Sequence, residues 1–168
     1  MSVLDDLYSY LPMPPDELSI GGTSCRPLTV HRDSRGCLFE LIKEAIPSQE
    51  PYAIPQMCYC SRTEPGCARD KDTWHWHRVQ TDRFVVLAGI AAFGLSDWHK
   101  TERVILQGGT PVMLTVPPNV LHCYHNMGWE PLLVINFPTE LYDPDDERRV
   151  QFSVVETEPP WEYPKCEC

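Results

Sequence analysis

The sequence lacks any long hydrophobic run. No apolar stretch approaches the roughly 18 residues that a membrane-spanning helix needs, so we predict no spanning segment. The N-terminus also lacks a basic segment followed by an apolar one, and Asp5 and Asp6 come early instead. We therefore expect no signal peptide and a cytoplasmic location.

Basic residues are scarce as well. The 168 residues include 14 Lys and Arg against 24 Asp and Glu, a formal net charge of −10. This excess of negative charge argues against nucleic acid and anionic membrane as partners. No internal repeat divides the chain, and 42% hydrophobic residues suffice for one core. We predict a single domain over 1–168, with an N-terminal arm at 1–26, a barrel at 27–155 and a C-terminal tail at 156–168.

What the chain does contain is a series of short β-forming segments. Runs of β-branched and aromatic residues alternate with turns that hold many of the 17 Pro and 9 Gly. Apolar residues recur at helical spacing between Val3 and Leu11, before Pro12, which predicts a short N-terminal helix or arm. We therefore predict an all-β double-sheet barrel preceded by that helix or arm.

The most informative stretch begins with a histidine pair. Side chains alternate along a strand, so His75 and His77 share one face of a predicted strand. Asp82 opens the next predicted strand. If the two strands pair as a hairpin, Asp82 returns beside His77.

A later strand places three more polar side chains on one face. It follows the turn at 117–119 and carries His122, Tyr124 and Asn126 at alternate positions. Tyr124 and Asn126 can hydrogen-bond a polar ligand. We expect this face and the histidine pair to line one pocket.

Three histidines and one carboxylate on neighbouring strands predict a divalent metal site. Nitrogen and oxygen donors of this kind suit Fe, Mn, Ni or Zn, and the sequence does not choose among them. The predicted metal ligands are His75, His77, Asp82 and His122.

These spacings resemble the two motifs of the cupin superfamily. Residues 75–89 read His-x-His, four residues, an acid, six residues, Gly, with Asp82 where cupins usually have Glu. Residues 117–126 resemble the second motif, with Asn119 in place of the usual Gly. The resemblance implies the double-stranded β-helix, or jelly-roll barrel, of the cupins.

Two flanking segments narrow the resemblance. Residues 33–40 are similar to the Asp-x-Arg-Gly-x-Phe-x-Glu element of the dTDP-4-dehydrorhamnose 3,5-epimerase family, and residues 141–147 to its Tyr-x-Pro-x-x-Glu segment. The chain is thus identified as an RmlC-like cupin. The resemblance implies a dimeric epimerase or isomerase that acts on a keto sugar, such as a nucleotide sugar, or on a related carbonyl compound.

The resemblance also implies roles for single residues. His75 matches the family's catalytic base, whereas the catalytic Lys falls at Asp82 and the catalytic Tyr at Asn136. The missing Lys favours a bound metal in its place. We predict His75, Asp82 and Tyr124 as catalytic residues. The predicted substrate-binding residues are Arg35, Gln80 and Asn126.

Two other functions stay open. A metal-dependent cupin dioxygenase or lyase acting on a small organic acid would use the same four ligands. A non-catalytic binding protein for small molecules would explain the absent Lys and Tyr. Trp74 and Trp76, on the face opposite the histidines, together with the resemblance, predict a two-fold homodimer.

Overall fold

Strands make up nearly all the regular structure in the part of the chain that the structure describes. The computed structural model describes residues 13–42, 55–70 and 72–155. The predicted helix falls mainly on residues 1–12 and the predicted tail on 156–168, so both lie outside the described residues. Within the described residues the helical structure is one 3-10 turn, and no helix is long and apolar enough to cross a membrane.

Twelve strands follow one another along the described residues. They are β1 (Ser24–Pro27), β2 (Val30–Asp33), β3 (Gly36–Phe39), β4 (Tyr59–Thr63), β5 (Thr73–His77), β6 (Asp82–Ala88), β7 (Ile90–Ser96), β8 (Thr101–Gln107), β9 (Val112–Val116), β10 (Leu121–Asn126), β11 (Leu132–Asn136) and β12 (Glu147–Gln151). The 3-10 turn, η1, is Phe152–Val154.

Ten of the strands form two five-stranded antiparallel sheets. The first sheet has the order β1-β9-β6-β11-β4, and the second has the order β12-β5-β10-β7-β8. Between them lies the main apolar core, where Phe84 of the first sheet meets Phe93 of the second with ring centroids 5.2 Å apart. Strands β2 and β3 form a separate hairpin. The predicted all-β, double-sheet architecture is confirmed.

The chain passes from one sheet to the other directly after the histidine pair. Strand β5 lies in the second sheet and β6 in the first, so the predicted hairpin of these two strands is wrong. The Asp146 carboxylate holds the crossing segment, because it accepts the backbone N–H groups of Arg78, Val79 and Gln80 at 2.9, 3.1 and 3.2 Å. Asp82 therefore faces the histidines across the gap between the sheets.

The N-terminal boundary of the barrel lies earlier than predicted. Strand β1 begins at Ser24 and pairs with β9, and Ile20 is fully buried in the core. Part of the predicted arm at 1–26 therefore belongs to the barrel. Ile20 belongs to the main core and Leu18 packs against it, which the local sequence pattern did not reveal.

The two glycine positions of the cupin motifs both have a positive φ. Gly89 has φ 80° and Asn119 has φ 65°. Asn tolerates this left-handed conformation better than most residues, which explains how it replaces Gly at 119. At 89 a Cβ atom would also lie 3.0 Å from the Leu132 Cα, so that position requires glycine.

The outer face of β5 is covered by the chain itself. Trp74 is 1% exposed and packs edge-on against Phe152 of η1, with centroids 5.1 Å apart. Trp76 is half-buried and packs against Trp98 at 5.6 Å. These two tryptophans therefore do not form the open dimer surface that the sequence predicted.

Replacing Trp74 with Ala should lower the free energy of unfolding by about 3–5 kcal/mol, because it removes a large buried side chain. Trp129 is the matched control, since it is 94% exposed. Trp129→Ala should change stability by less than about 0.5 kcal/mol. Urea unfolding of both variants measures the difference; equal losses would contradict the packing of η1 on β5.

Candidate active site

A pocket of about 520 Å³ opens between the two sheets. Its floor is formed by buried or half-buried residues of both sheets: His75, His77, Gln80, Asp82, Phe84, His122, Tyr124, Val134 and Asn136. Its rim carries aromatic and charged residues: Tyr59, Arg62, Arg69, Asp70, Tyr142, Asp143, Glu147 and Arg149. The predicted catalytic residues and the four predicted metal ligands all lie on the floor.

An ion pair joins the sheets at the pocket floor. Asp82 Oδ2, from β6, lies 3.2 Å from His122 Nε2, from β10. Burial alone would lower the pKa of His122, but the contact with Asp82 outweighs it and raises that pKa. Burial would likewise raise the pKa of Asp82, but the contact with His122 and the charge of His77 hold it at about 2. Near neutral pH Asp82 is therefore a carboxylate.

The other oxygen of Asp82 is held by two amides. Gln80 Nε2 and Asn136 Nδ2 each donate to Asp82 Oδ1 at 2.8 Å. Asn136 Oδ1 accepts the backbone N–H of Arg83 at 3.1 Å. The positions where the resemblance puts Lys and Tyr are thus occupied by a hydrogen-bonded Asp and Asn.

His75 and His77 meet through their outer ring nitrogens. Their Nε2 atoms are 2.9 Å apart, so one proton lies between them. A carboxylate stands behind each ring, with Asp70 Oδ1 3.8 Å from His75 Nδ1 and Asp146 Oδ2 3.4 Å from His77 Nδ1. Burial lowers the pKa of His77, and the nearby carboxylates oppose that effect only in part. The pair can take up and release a proton inside the pocket.

Tyr124 supplies a hydroxyl group to the same floor. Its oxygen lies 2.7 Å from Ser61 Oγ, and its ring packs against Phe84 and Phe93. Burial raises the pKa of Tyr124, although its contact with Ser61 acts in the opposite direction. The hydroxyl therefore stays protonated at neutral pH and can donate a hydrogen bond.

Two predicted substrate-binding residues do not line this pocket. Asn126 is fully buried, donates to the carbonyls of Thr63 and Glu130, and accepts the N–H of Gly128. It shares a strand face with His122, but it lies at the far end of β10, where it holds a loop. This is a correction to its predicted position, and its role in binding stays a prediction.

Arg35 lies at the tip of the β2–β3 hairpin. Its side chain is exposed and pairs with Asp33 at 2.5 Å. The hairpin forms a sheet of its own, and Arg35 is not among the residues that line the pocket of its chain. This is a correction to its predicted position, and its role in binding stays a prediction.

Several pocket residues escaped the sequence analysis. Asp70 and Arg69 lie in a loop, and Asp146, which contacts His77 without lining the pocket, lies in the turn before β12, so no strand periodicity marks them. The position of Arg149 beside the pocket could in principle have been predicted, because Arg149 is directly opposite His75 in the pairing of β12 with β5. That pairing is long-range in the sequence, and alternation within one strand does not predict it.

The four predicted metal ligands are not arranged as a ligand set. Within the described residues, no group of three or more His, Cys, Asp or Glu side chains could hold a metal ion. Gln80 Nε2 also lies 3.1 Å from His77 Nε2 and directs an N–H group at the nitrogen that a metal would need. His75, His77, Asp82 and His122 therefore do not fit a metal in this arrangement, and metal binding stays a prediction.

Solved structures share this fold. A dTDP sugar isomerase from Desulfovibrio desulfuricans G20 has a TM-score of 0.70 at 18% identity, covering 88% of this chain and 94% of that chain. The RmlC epimerase of Mycobacterium tuberculosis has a TM-score of 0.68 at 19% identity, covering 80% of this chain and 72% of that chain. At such identities the likeness shows the fold, which is that of the RmlC-like cupins.

Sequence relatives define the family more closely. Residues 31–149 match the family described as the polysaccharide biosynthesis C-terminal domain. The probable low-salt glycan biosynthesis epimerase Agl13 of Haloferax volcanii is 32% identical over 142 residues, which is 77% of this chain and 87% of the relative. The chain belongs to the polysaccharide biosynthesis C-terminal domain family.

The Asp82–His122 pair predicts a measurable pKa difference. NMR titration should give His122 a pKa above its ordinary value, and Asp82→Asn should lower it, because burial then acts without the opposing carboxylate. The raised pKa adds stability that is present below about pH 6.5 and is lost as pH rises through the folded-state value. A His122 pKa that does not change in Asp82→Asn would contradict the pair.

Proposed function

We propose that the protein is an epimerase or isomerase of a nucleotide-linked keto sugar, which moves a proton at a carbon beside the carbonyl group. The observation that carries the proposal is the His75–His77 pair, with Nε2 atoms 2.9 Å apart on the floor of a pocket large enough for a sugar. Histidine suits this task because its ordinary pKa lies near neutral pH.

The chemistry needs a base, a proton donor and a place for negative charge. A histidine of the pair removes the proton from carbon, and the electron pair moves into the carbonyl to form an enolate. Return of a proton to the opposite face gives an epimer, and return at the neighbouring carbon gives an isomer. The Tyr124 hydroxyl is a second proton donor on the same floor.

The arginines of the rim favour an anionic substrate although the chain carries a net charge of −10. Arg149 pairs with Asp70 and Glu147, at 3.4 and 2.8 Å. The Arg69 side chain makes no ion pair with an acid in the described part of the chain. We propose that Arg69 contacts the diphosphate of a nucleotide sugar, since guanidinium groups bind phosphate oxygens strongly.

The similar proteins support this substrate class. The Haloferax relative is a probable epimerase of glycan biosynthesis, and the Desulfovibrio protein is a dTDP sugar isomerase. An epimerisation or isomerisation of a keto sugar can begin with removal of a proton beside its carbonyl group. The pocket residues supply a base and a proton donor for that step. Asp82 and Asn136 occupy the positions at which the 3,5-epimerase family has its catalytic Lys and Tyr.

The proposal predicts exchange of a carbon-bound proton with solvent. In D₂O the protein should incorporate deuterium beside the keto group of dTDP-4-keto-6-deoxyglucose, as followed by NMR. His75→Gln should lower the exchange rate by roughly 10²–10⁴-fold, the usual contribution of a general acid or base. His99→Gln is the matched control, because His99 is exposed in a turn outside the pocket, and it should exchange at the normal rate.

Other outcomes separate the alternatives. Binding of the sugar nucleotide without exchange or product would overturn the enzymatic proposal and leave a non-catalytic binding protein. Oxygen consumption with a small organic acid would favour the dioxygenase.

Arg69→Ala should raise KM for the same sugar nucleotide roughly tenfold or more with little change in kcat, because a charge-assisted hydrogen bond to phosphate contributes about 1.5–3 kcal/mol. Arg26→Ala is the control, since Arg26 is exposed on β1 and does not line the pocket. Steady-state kinetics with both variants tests the assignment. Equal KM values would place the phosphates elsewhere.

The predicted divalent metal stays a proposal that elemental analysis tests. Protein purified without chelator that holds about one Fe, Mn, Ni or Zn per chain, lost in His122→Ala, would establish a metal centre. Full exchange activity in protein without metal would overturn the predicted cofactor. The cytoplasmic location likewise stays a prediction.

We also propose a homodimer, on grounds that differ from the predicted tryptophan face. The β2–β3 hairpin is a separate sheet, and its Leu38 is 61% exposed. A second copy that covers this hairpin would bring Arg35 to the interface. Light scattering should then give about twice the chain mass of 19.3 kDa, and Leu38→Glu should shift it towards the monomer.

A further inference from the structure

The proposed reaction calls for a cation near the carbonyl group of the substrate. Removal of the proton leaves a negative charge on the carbonyl oxygen, and a positive group placed there stabilises it. At the position of the family's catalytic Lys, Asp82 supplies no positive charge. The amides of Gln80 and Asn136 do not replace the Lys, because both already donate to Asp82 Oδ1 at 2.8 Å. The cation must therefore come from another part of the pocket.

The arginines that line the pocket differ in their partners. Within the described residues no lysine lines the pocket, and its arginines are Arg62, Arg69 and Arg149. Arg62 is exposed on β4, an edge strand of the first sheet, and pairs with Glu64. Arg69 is the proposed contact of the diphosphate. Arg149 therefore remains as the cation for the sugar end of the substrate.

The strand pairing places Arg149 beside the histidines. Arg149 of β12 is directly opposite His75 of β5, and His75 is directly opposite His122 of β10. Neighbouring strands lie about 4.8 Å apart, and residues in one row across a sheet point to the same face. Arg149, His75 and His122 therefore form one row on the pocket face of the second sheet. Arg69 lies further along, since its backbone N–H donates to the carbonyl of Tyr124, two residues beyond His122.

The Arg149 guanidinium is held in place and still has N–H groups for a ligand. Its Nε lies 3.4 Å from Asp70 Oδ1, and its Nη2 lies 2.8 Å from Glu147 Oε1. A guanidinium carries five N–H groups, which is more than these two contacts need. The Arg149 side chain is 55% exposed at the rim. A sugar on the pocket floor can therefore contact it without displacing either acid.

We propose that Arg149 is the catalytic residue that binds the carbonyl oxygen of the substrate and stabilises the enolate, so that this oxygen is directed towards β12 rather than β6. The inference rests on the proposed function. The bond between the substrate carbon and its proton breaks, a histidine of the pair takes the proton, and the electron pair moves onto the oxygen beside Arg149. A guanidinium does not deprotonate in proteins, so Arg149 supplies charge and hydrogen bonds and no proton.

The contact can be tested in the wild-type protein without turnover. Phenylglyoxal modifies exposed arginines, and mass spectrometry of the peptides measures the modification at each one. In full-length, chelator-treated protein, dTDP-glucose should protect both Arg149 and Arg69, whereas dTDP, which lacks the sugar, should protect Arg69 alone. Equal protection of Arg149 by dTDP would make it a phosphate contact, and protection by neither would place the sugar elsewhere. Either result would overturn the proposal.

Variants test the catalytic part of the proposal. Arg149→Ala should lower kcat for deuterium exchange into dTDP-4-keto-6-deoxyglucose at least about tenfold, with a smaller effect on KM, because the charge is needed most in the transition state. Arg149→Lys should keep part of the rate. Millimolar guanidinium should restore part of the rate in Arg149→Ala but not in His75→Gln, and a merely structural role of Arg149 would not produce this rescue. If Arg149→Ala does not fold, Arg149→Gln takes its place, since it keeps a long side chain without the charge.

Arg148→Ala is the matched control. Arg148 is the neighbouring residue on β12, is directly opposite Trp76 on the outer face of the sheet, and does not line the pocket. Its replacement removes the same charge and should leave kcat unchanged.

Three outcomes separate this proposal from the proposed function. An unchanged kcat in Arg149→Ala would overturn the role of Arg149 and leave the proposed function standing. Loss of wild-type exchange after treatment with chelator would do the same, because a metal ion would then stabilise the enolate. Wild-type protein in which the sugar protects Arg149 but no proton exchanges would refute the proposed function, and the catalytic role with it.

Discussion

The Asp82 carboxylate, buried between the two sheets, is the constraint on which the pocket depends. A charge removed from water costs several kcal/mol unless polar partners surround it. Asp82 has such partners from both sheets: His122 and His77 at 3.2 and 3.5 Å, and Gln80 and Asn136 at 2.8 Å. The sheets can therefore close on an apolar core at one end and leave a polar pocket open at the other.

The crossing between β5 and β6 makes this arrangement possible. A simple hairpin would have placed His77 and Asp82 side by side in one sheet. Because the chain changes sheets at 78–81, the two side chains instead approach each other across the gap. Asp146 stabilises the crossing and stands behind His77, so the same carboxylate serves the fold and the site.

The sequence predicted the floor of the pocket better than its surroundings. His75, His77, His122 and Tyr124 followed from alternation along single strands, which is local and strongly constrained when one face is buried. Alternation does not tell where along the sheet a residue lies, which is why Asn126 was placed in the pocket. It also does not reveal what covers the opposite face, and Trp74 was therefore mistaken for an interface residue.

The remaining site residues depend on contacts between distant segments. Asp70 and Asp146 reach the histidines from loops, and Arg149 reaches the rim through the pairing of β12 with β5. No short-range sequence pattern predicts these contacts, because the residues that make them are far apart in the sequence. The metal prediction shows the same limit, because spacing brought the four side chains together but did not determine whether their donor atoms would face a common ion or one another.

We propose that the pocket receives a nucleotide sugar with its sugar end at the histidine pair, and a crystal structure of the protein with dTDP would test this. We expect the diphosphate to lie against the rim beside Arg69, with its terminal phosphate directed towards His75 and His77. A nucleotide bound outside the pocket, or with its base rather than its phosphates next to the histidines, would contradict it.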